Sequence, residues 1–182
     1  MSQASTTLYR FRIDLSDVDR GVYETFDLRV PMHPSEAMPY LLTRILAYAL
    51  NFCEGIEFSP GGLSDPDLPC IRANSLTGET ILWIEVGNPS ARKVHRAAKA
   101  AKKVKVYTYK DTTSMLVELR STPIHRSSEI ELYSFASSFL KKLEGMLSRD
   151  NRWTLMAMDG AVTVSLGNDS IVGEIIRHQL TL

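Results

Sequence analysis

Cysteine and histidine are scarce in this chain. Its 182 residues hold only Cys53 and Cys70, in no CxxC arrangement, and four scattered histidines, His33, His95, His125 and His178. These absences exclude a zinc cluster, whose ligands recur at short fixed spacings, and any Ser-His-Asp or Cys-His constellation argued from spacing. The cysteines read as two reduced, packed thiols. A surplus of either charge is missing too, because 21 Lys and Arg balance 21 Asp and Glu. Overall charge therefore gives no support to nucleic-acid binding, which only a local basic patch would supply. No apolar run approaches the ~18 residues of a membrane-spanning helix. The opening "MSQASTTLYR" lacks the apolar core of a signal peptide. A cytoplasmic protein with no membrane partner is the expectation. Internal repeats, low-complexity tracts and linkers are absent, and the glycine-bearing "SPGGLSD" lacks the GK[ST] that closes a phosphate-binding P-loop.

What is present is an ordinary globular composition, 44% hydrophobic and 23% charged, in a chain long enough for a sizeable core. Residues 7–16 alternate, with Tyr9, Phe11, Ile13 and Leu15 on one face and Arg10, Arg12 and Asp14 on the other. After "DVDRG", residues 22–30 form the second strand of an antiparallel hairpin, with Phe26, Leu28 and Val30 inward. "HPSEAMP" opens a helix whose apolar face is Leu41, Leu42, Ile45, Leu46, Ala49 and Phe52. The Pro- and Gly-rich 54–69 segment reads as a loop or short broken strands, followed by a short strand at 69–74 and a strand at 80–86. Pro89 suits the first turn of the next helix. There Val94, Ala97, Ala98 and Ala101 make a narrow face for close packing on a sheet, before a strand at 104–109. A strand–helix–strand unit of this length implies a parallel, right-handed crossover. A short helix at 111–120, the strand "EIELYSF", the helix "FASSFLKKLEGML" and a meander turning at "DG" complete the chain. The expected fold is one mixed α/β domain over 1–182, with a parallel strand–helix–strand core in a mixed sheet flanked by antiparallel hairpins from both termini.

One stretch carries chemistry, "LWIEVGNPSARKVHRAAKAAKKVKVYTY". Glu85 ends a strand that is apolar on both faces, hence central, and shares a face with Ile81 and Trp83. A carboxylate withdrawn from water there needs a pairing cation or a metal. It also stands at the carboxyl end of a strand feeding a crossover helix, where α/β sheets place ligands. The structural alternative is an ion pair with Arg92 or Lys93. Asp67 lies eighteen residues earlier, in "SDPDLP", where the turn preference of Asp is a sufficient reason for it. An acid before one strand and another at the end of the next is how metal-dependent phosphodiester-cutting sheets set two carboxylates on one cation. On the helix, Arg92, Arg96, Lys99 and Lys103 form a stripe opposite the alanine face, which reads as a solvated surface. Lys93, His95 and Lys102 flank it, and Lys93, near the helix start, is placed to position a water or steady an oxyanion. Glu36 falls in the first turn of the first helix, where the helix dipole favours an acid.

The pieces "TLYRFRIDLSDVDRGVYE", "HPSE", "RILAYAL", "GLSD", "LTG", "WIEVGNP", "AKAA", "VYTY" and "RWTL" resemble the YaeQ family of small bacterial proteins over nearly the whole chain. The resemblance implies a variant of the PD-(D/E)XK nuclease fold. Asp67 then matches the first acidic position, Glu85 the acid of the second motif, and Glu36 the acid often found on the preceding helix. Asp67 and Glu85 would hold Mg²⁺ or Mn²⁺. The lysine expected two residues after the second acid is missing, since Gly87 stands there. Lys93 or Arg96 would replace it. The family has also been linked to transcription elongation, as a substitute for an antitermination factor. The resemblance thus implies two readings. One is a metal-dependent nuclease; the other is a non-catalytic nuclease-fold protein that binds nucleic acid or a transcription partner.

Overall fold

A computed structural model describes residues 5–60, 65 and 67–181. The described chain divides into two compact units. The first comprises residues up to Leu42 together with Ala136–Ile175, and the second comprises Thr43–Phe135 with the residues from Ile176 on.

The first unit is a five-stranded sheet. β1 (Thr7–Asp17) and β2 (Val22–Met32) form the expected antiparallel hairpin. Phe11, Ile13, Leu15, Leu28 and Val30 are buried and Arg10, Arg12 and Asp14 face out, as alternation requires. The C-terminal meander is β8 (Asp150–Met158), β9 (Ala161–Leu166) and β10 (Asp169–Glu174). Its first hairpin turns at Asp159 and Gly160, both with positive φ (52° and 73°), the conformation that favours Asp-Gly. β8 lies parallel to β1, with Ile13 beside Trp153, so the sheet order is β10-β9-β8-β1-β2. The two terminal hairpins therefore build a sheet of their own. They are not strands of the sheet that holds the parallel core, and the parallel pairing of β1 with the distant β8 leaves no local signature in the sequence. On the inner face Phe11 meets Trp153 edge to face at 5.0 Å, and α4 (Ser137–Gly145) buries Phe139, Leu140 and Leu143.

The second unit is a six-stranded mixed sheet, ordered β11-β7-β6-β5-β4-β3. Its strands are β3 (Ile56–Phe58), β4 (Ile71–Asn74), β5 (Thr80–Val86), β6 (Lys103–Thr108), β7 (Glu131–Ser134) and β11 (Ile176–His178). β5, β6 and β7 run parallel and the outer strands antiparallel. The expected crossover is present, with α2 (Ala91–Ala100) joining β5 to β6. Val94, Ala97, Ala98 and Ala101 are buried with Trp83, Val104 and Val106 in one cluster that α3 (Thr113–Ser121) extends through Met115 and Leu119. Alanines allow the helix backbone to approach the sheet closely, and each methyl removed from water adds to the hydrophobic term. The Arg126 guanidinium caps the far end of α2, donating to the Ala98 and Ala101 carbonyls at 2.6 Å each. A cation there complements the helix dipole.

α1 (Met38–Leu50) starts later than "HPSEAMP" suggested. The 33–36 segment is a turn closed by the Glu36 amide on the His33 carbonyl at 2.9 Å, so Glu36 precedes the helix and is not in its first turn. Within the second unit, residues of α1 and just beyond pack on the sheet. Tyr48 stacks on Phe58 at 4.8 Å and the Asn51 amide donates to the Tyr107 hydroxyl at 2.9 Å. Within the 54–69 segment, expected as a loop or short broken strands, Ile56–Phe58 is the short strand β3. Residues 61–64 and 66, which include most of "GLSD", lie outside the described residues. Pro89 precedes the N-cap of α2, which is Ser90.

Candidate functional site

β5 is central, between β4 and β6, and its last five residues are buried. Glu85 is 3% exposed. Both of its oxygens are engaged. Oε1 accepts a hydrogen bond from Trp83 Nε1 at 2.7 Å, and Oε2 pairs with Lys93 Nζ at 2.9 Å. Trp83 and Glu85 alternate onto the face that α2 covers, so the indole N–H and the carboxylate satisfy each other where water is excluded. Burial raises the Glu85 pKa above its ordinary value, while the hydrogen bond and charge of Lys93 and the Trp83 hydrogen bond pull it back. Desolvation wins, as expected for a carboxylate reached by one part-exposed cation.

Lys93 is in position because of the helix start. The Ser90 hydroxyl caps α2 by accepting from the Lys93 amide at 3.3 Å. The Ala91 amide donates to Glu118 Oε1 of α3 at 2.7 Å, a further acid on the positive end of the helix. One turn along α2, three residues after Lys93, Arg96 makes an ion pair with Asp67. Residues at this spacing are neighbours on one helix flank. Asp67 sits in an Asx-type turn, its amide donating to Asp65 Oδ1 at 2.9 Å. Its side chain is 70% exposed, so this pair is open to water, whereas in Glu85–Lys93 the carboxylate is buried and only the lysine is part-exposed.

The structure thus brings Asp67, Glu85, Lys93 and Arg96 together as two ion pairs on adjacent turns of α2. The ion-pair alternative for Glu85 is realised through Lys93. Arg96, on the expected solvated stripe, stays exposed while it pairs with Asp67. Glu36 lies in the first unit, in the turn before α1. Trp83, placed on the Glu85 face by alternation, adds a hydrogen bond that the sequence did not disclose, and Glu118 was not foreseen at all, since its role depends on how α3 packs.

Gly87 has φ +95°, and its amide donates to the Tyr107 carbonyl at 2.8 Å. A side chain is strained at such a φ, which is a physical reason for glycine at this position. The β5–α2 turn requires glycine, and the cation arrives from the helix. Gly87→Lys is expected to lower stability by about 1–2 kcal/mol, measured by urea unfolding. A variant as stable as the parent would disprove the strain.

Among the described residues no group of three or more His, Cys, Asp or Glu is placed to share a metal ion. Two hard oxygen donors nevertheless suit Mg²⁺ or Mn²⁺, which take one or two carboxylates and complete their shell with water and phosphate. Asp67 and Glu85 fit by donor chemistry, with Arg96 and Lys93 as their counter-ions. No described helix is long and apolar enough to cross a membrane.

Known proteins agree with this architecture. A crystal structure of a YaeQ protein from Xanthomonas axonopodis pv. citri superposes with a TM-score of 0.88 at 27% identity, covering 96% of this chain and 99% of that one. One from Pseudomonas syringae gives 0.84 at 26%, covering 94% and 95%. The YaeQ protein of Escherichia coli K12 is 28% identical over 110 residues, a match that spans 60% of each chain. That of Salmonella typhi is 22% identical over 174 residues, or 95% of this chain and 96% of the relative. The family model described as YaeQ protein matches residues 1–174, and with nearly the full length matched, the chain belongs to the YaeQ family.

Proposed function

We propose that the Asp67–Glu85–Lys93–Arg96 cluster is a phosphodiester-processing site on a PD-(D/E)XK nuclease-like core, with nucleic acid as its substrate. The observation that carries this reading is the pairing of both acids with cations three residues apart on one helix flank. A bare structural ion pair would need only one such contact. Lys93 supplies, from the helix, the ammonium that the motif would otherwise place at position 87. Its charge suits a non-bridging phosphate oxygen, and preorganised charge at a developing oxyanion is the largest single contribution to many such reactions. The exposed, planar Arg96 suits a second phosphate oxygen. Glu85, made more basic by burial, holds Lys93 in position. Mg²⁺ or Mn²⁺ held by Asp67 and Glu85 would supply charge neutralisation and water activation.

The test is cleavage of labelled single- and double-stranded DNA and RNA with Mg²⁺ or Mn²⁺, parent beside Lys93→Met and Glu85→Gln. Loss of roughly 10²-fold or more in either variant is expected, by analogy with removing one transition-state charge donor. Equal cleavage by parent and variants would identify a contaminant, and no cleavage by the parent would overturn the reading. A second reading is favoured by one observation: both oxygens of Glu85 already have protein partners. In that case the fold is non-catalytic and binds nucleic acid or a component of the transcription machinery.

A further inference from the structure

The outer face of the first unit's sheet carries an arrangement of charge that its own packing does not require. Across β2, β1 and β8 the register sets Arg29, Arg10 and Asp150 in one row and Asp27, Arg12 and Arg152 in the next outward-facing row. Two arginine pairs therefore stand directly opposite each other, Arg10 with Arg29 and Arg12 with Arg152. Like charges in that position destabilise a sheet. Asp27 holds Arg10 through both its Nε, at 3.0 and 3.1 Å, and its Nη2. Asp150 holds Arg12 Nη2 at 2.8 and 2.7 Å. Both carboxyls lie below their ordinary range. The hydrogen bond from Arg10 is the first cause for Asp27, with Arg12 and Arg29 adding their charge; for Asp150 it is the bond from Arg12, with Arg10 and Arg152 adding theirs. The third outward acid, Asp14, accepts from the Thr25 hydroxyl at 2.8 Å. Arg29 and Arg152 are exposed, and neither side chain has a hydrogen bond or ion pair among the described residues.

We infer that this face binds the sugar–phosphate backbone of nucleic acid, with Arg29 and Arg152 as its free arms and Arg10 and Arg12 as its fixed floor. Two strand spacings and two residues along the strand put Arg29 and Arg152 about 12 Å apart, before their side chains reach out. That distance exceeds the span of one compact anion and suits phosphates spread along a polymer. Four guanidiniums are present on these two rows, and guanidinium is the group whose planar fork matches phosphate oxygens in pairs. The two aspartates fix the floor geometry and leave the block with an excess of two positive charges. An anion shared by the opposed arginines removes their repulsion. The chain's zero net charge hides this patch, because the sequence sums charge without regard to face. The inference does not rest on cleavage by the Glu85 cluster, and it is tested without metal.

The experiment is fluorescence anisotropy of a labelled single-stranded oligonucleotide and its duplex, in EDTA, across a salt series. The full chain is compared with Arg29→Ala/Arg152→Ala, with Arg29→Lys/Arg152→Lys, and with Lys141→Ala/Lys142→Ala on the exposed side of α4. Thermal unfolding confirms that each variant is folded, and the Lys-for-Arg pair keeps the charge if the alanines fail to fold. The alanine pair is expected to weaken binding at least about tenfold at low salt and to reduce the slope of log K against log salt by roughly one per arginine removed. The lysine pair should fall between, and the α4 pair should match the parent. Four outcomes would overturn the inference: no binding at low salt, equal binding by parent and the folded arginine variants, the same loss in the α4 pair, or arginine-dependent binding to phosphatidylserine vesicles with none to the oligonucleotide.

Discussion

Lys93→Met is expected to lower the unfolding free energy by about 2–4 kcal/mol at neutral pH, because it leaves a buried carboxylate with one hydrogen bond and no counter-ion. The magnitude is set by Glu85, which is almost fully buried, and moderated by Lys93, whose side chain is 26% exposed. The loss depends on pH with a definite sign. The Glu85 pKa already lies above its ordinary value, and removing Lys93 raises it further. A carboxyl with a raised folded pKa binds more protons folded than unfolded. Its contribution to stability is fully present below the unfolded pKa and is lost as pH rises through the folded one. The variant should therefore approach the parent in acid and fall behind it progressively toward neutral pH. Urea unfolding at a series of pH values checks this, and a difference independent of pH would refute the buried-charge explanation. Glu85→Gln/Lys93→Met should recover most of the loss. The charge is then gone while the amide oxygen still accepts from Trp83 Nε1, and coupling of this kind is what a double-mutant cycle measures.

Gly173→Ala should cost about 1–3 kcal/mol, the range for forcing an extra group into a packed core. A methyl built on Gly173 of β10 would lie 2.5–2.6 Å from ring carbons of Phe139 on α4, far inside van der Waals contact. Phe139 is 4% exposed, so its ring has little room to retreat. Gly173 does not have a positive φ, which makes this a clean test of space and not of backbone conformation. Pairing the change with Phe139→Leu should return part of the stability. Chemical denaturation reads both effects, and an unchanged midpoint for Gly173→Ala would mean that α4 shifts freely on the sheet.

The sequence disclosed the elements that depend on local pattern. The β1–β2 hairpin followed from alternation through Tyr9–Leu15, and the Asp159-Gly160 turn from its dipeptide. The alanine face of α2 and the parallel β5–β6 pair followed from a helical period between two apolar strands. Element ends were less legible. α1 begins at Met38, after the turn that holds Glu36, because proline and capping residues compete within a few positions. Of the site, the withdrawal of Glu85 from water was legible, while a metal and an ion pair with Arg92 or Lys93 were open alternatives. The fold chose Lys93 through the phase of α2 that Ser90 sets.

By itself, then, the sequence determined which segments become strands and helices, which side of each is apolar, and that Glu85 would stand buried at a strand end. These are properties of neighbours along the chain, written in periods of two and of 3.6 residues. The tertiary structure alone decided that β1 joins β8, that Arg96 turns to Asp67, that Glu118 reaches the start of α2, and that like-charged arginines stand opposite each other across β2, β1 and β8. Each of these joins residues far apart in sequence. Register and packing fix such contacts, and no local pattern encodes them.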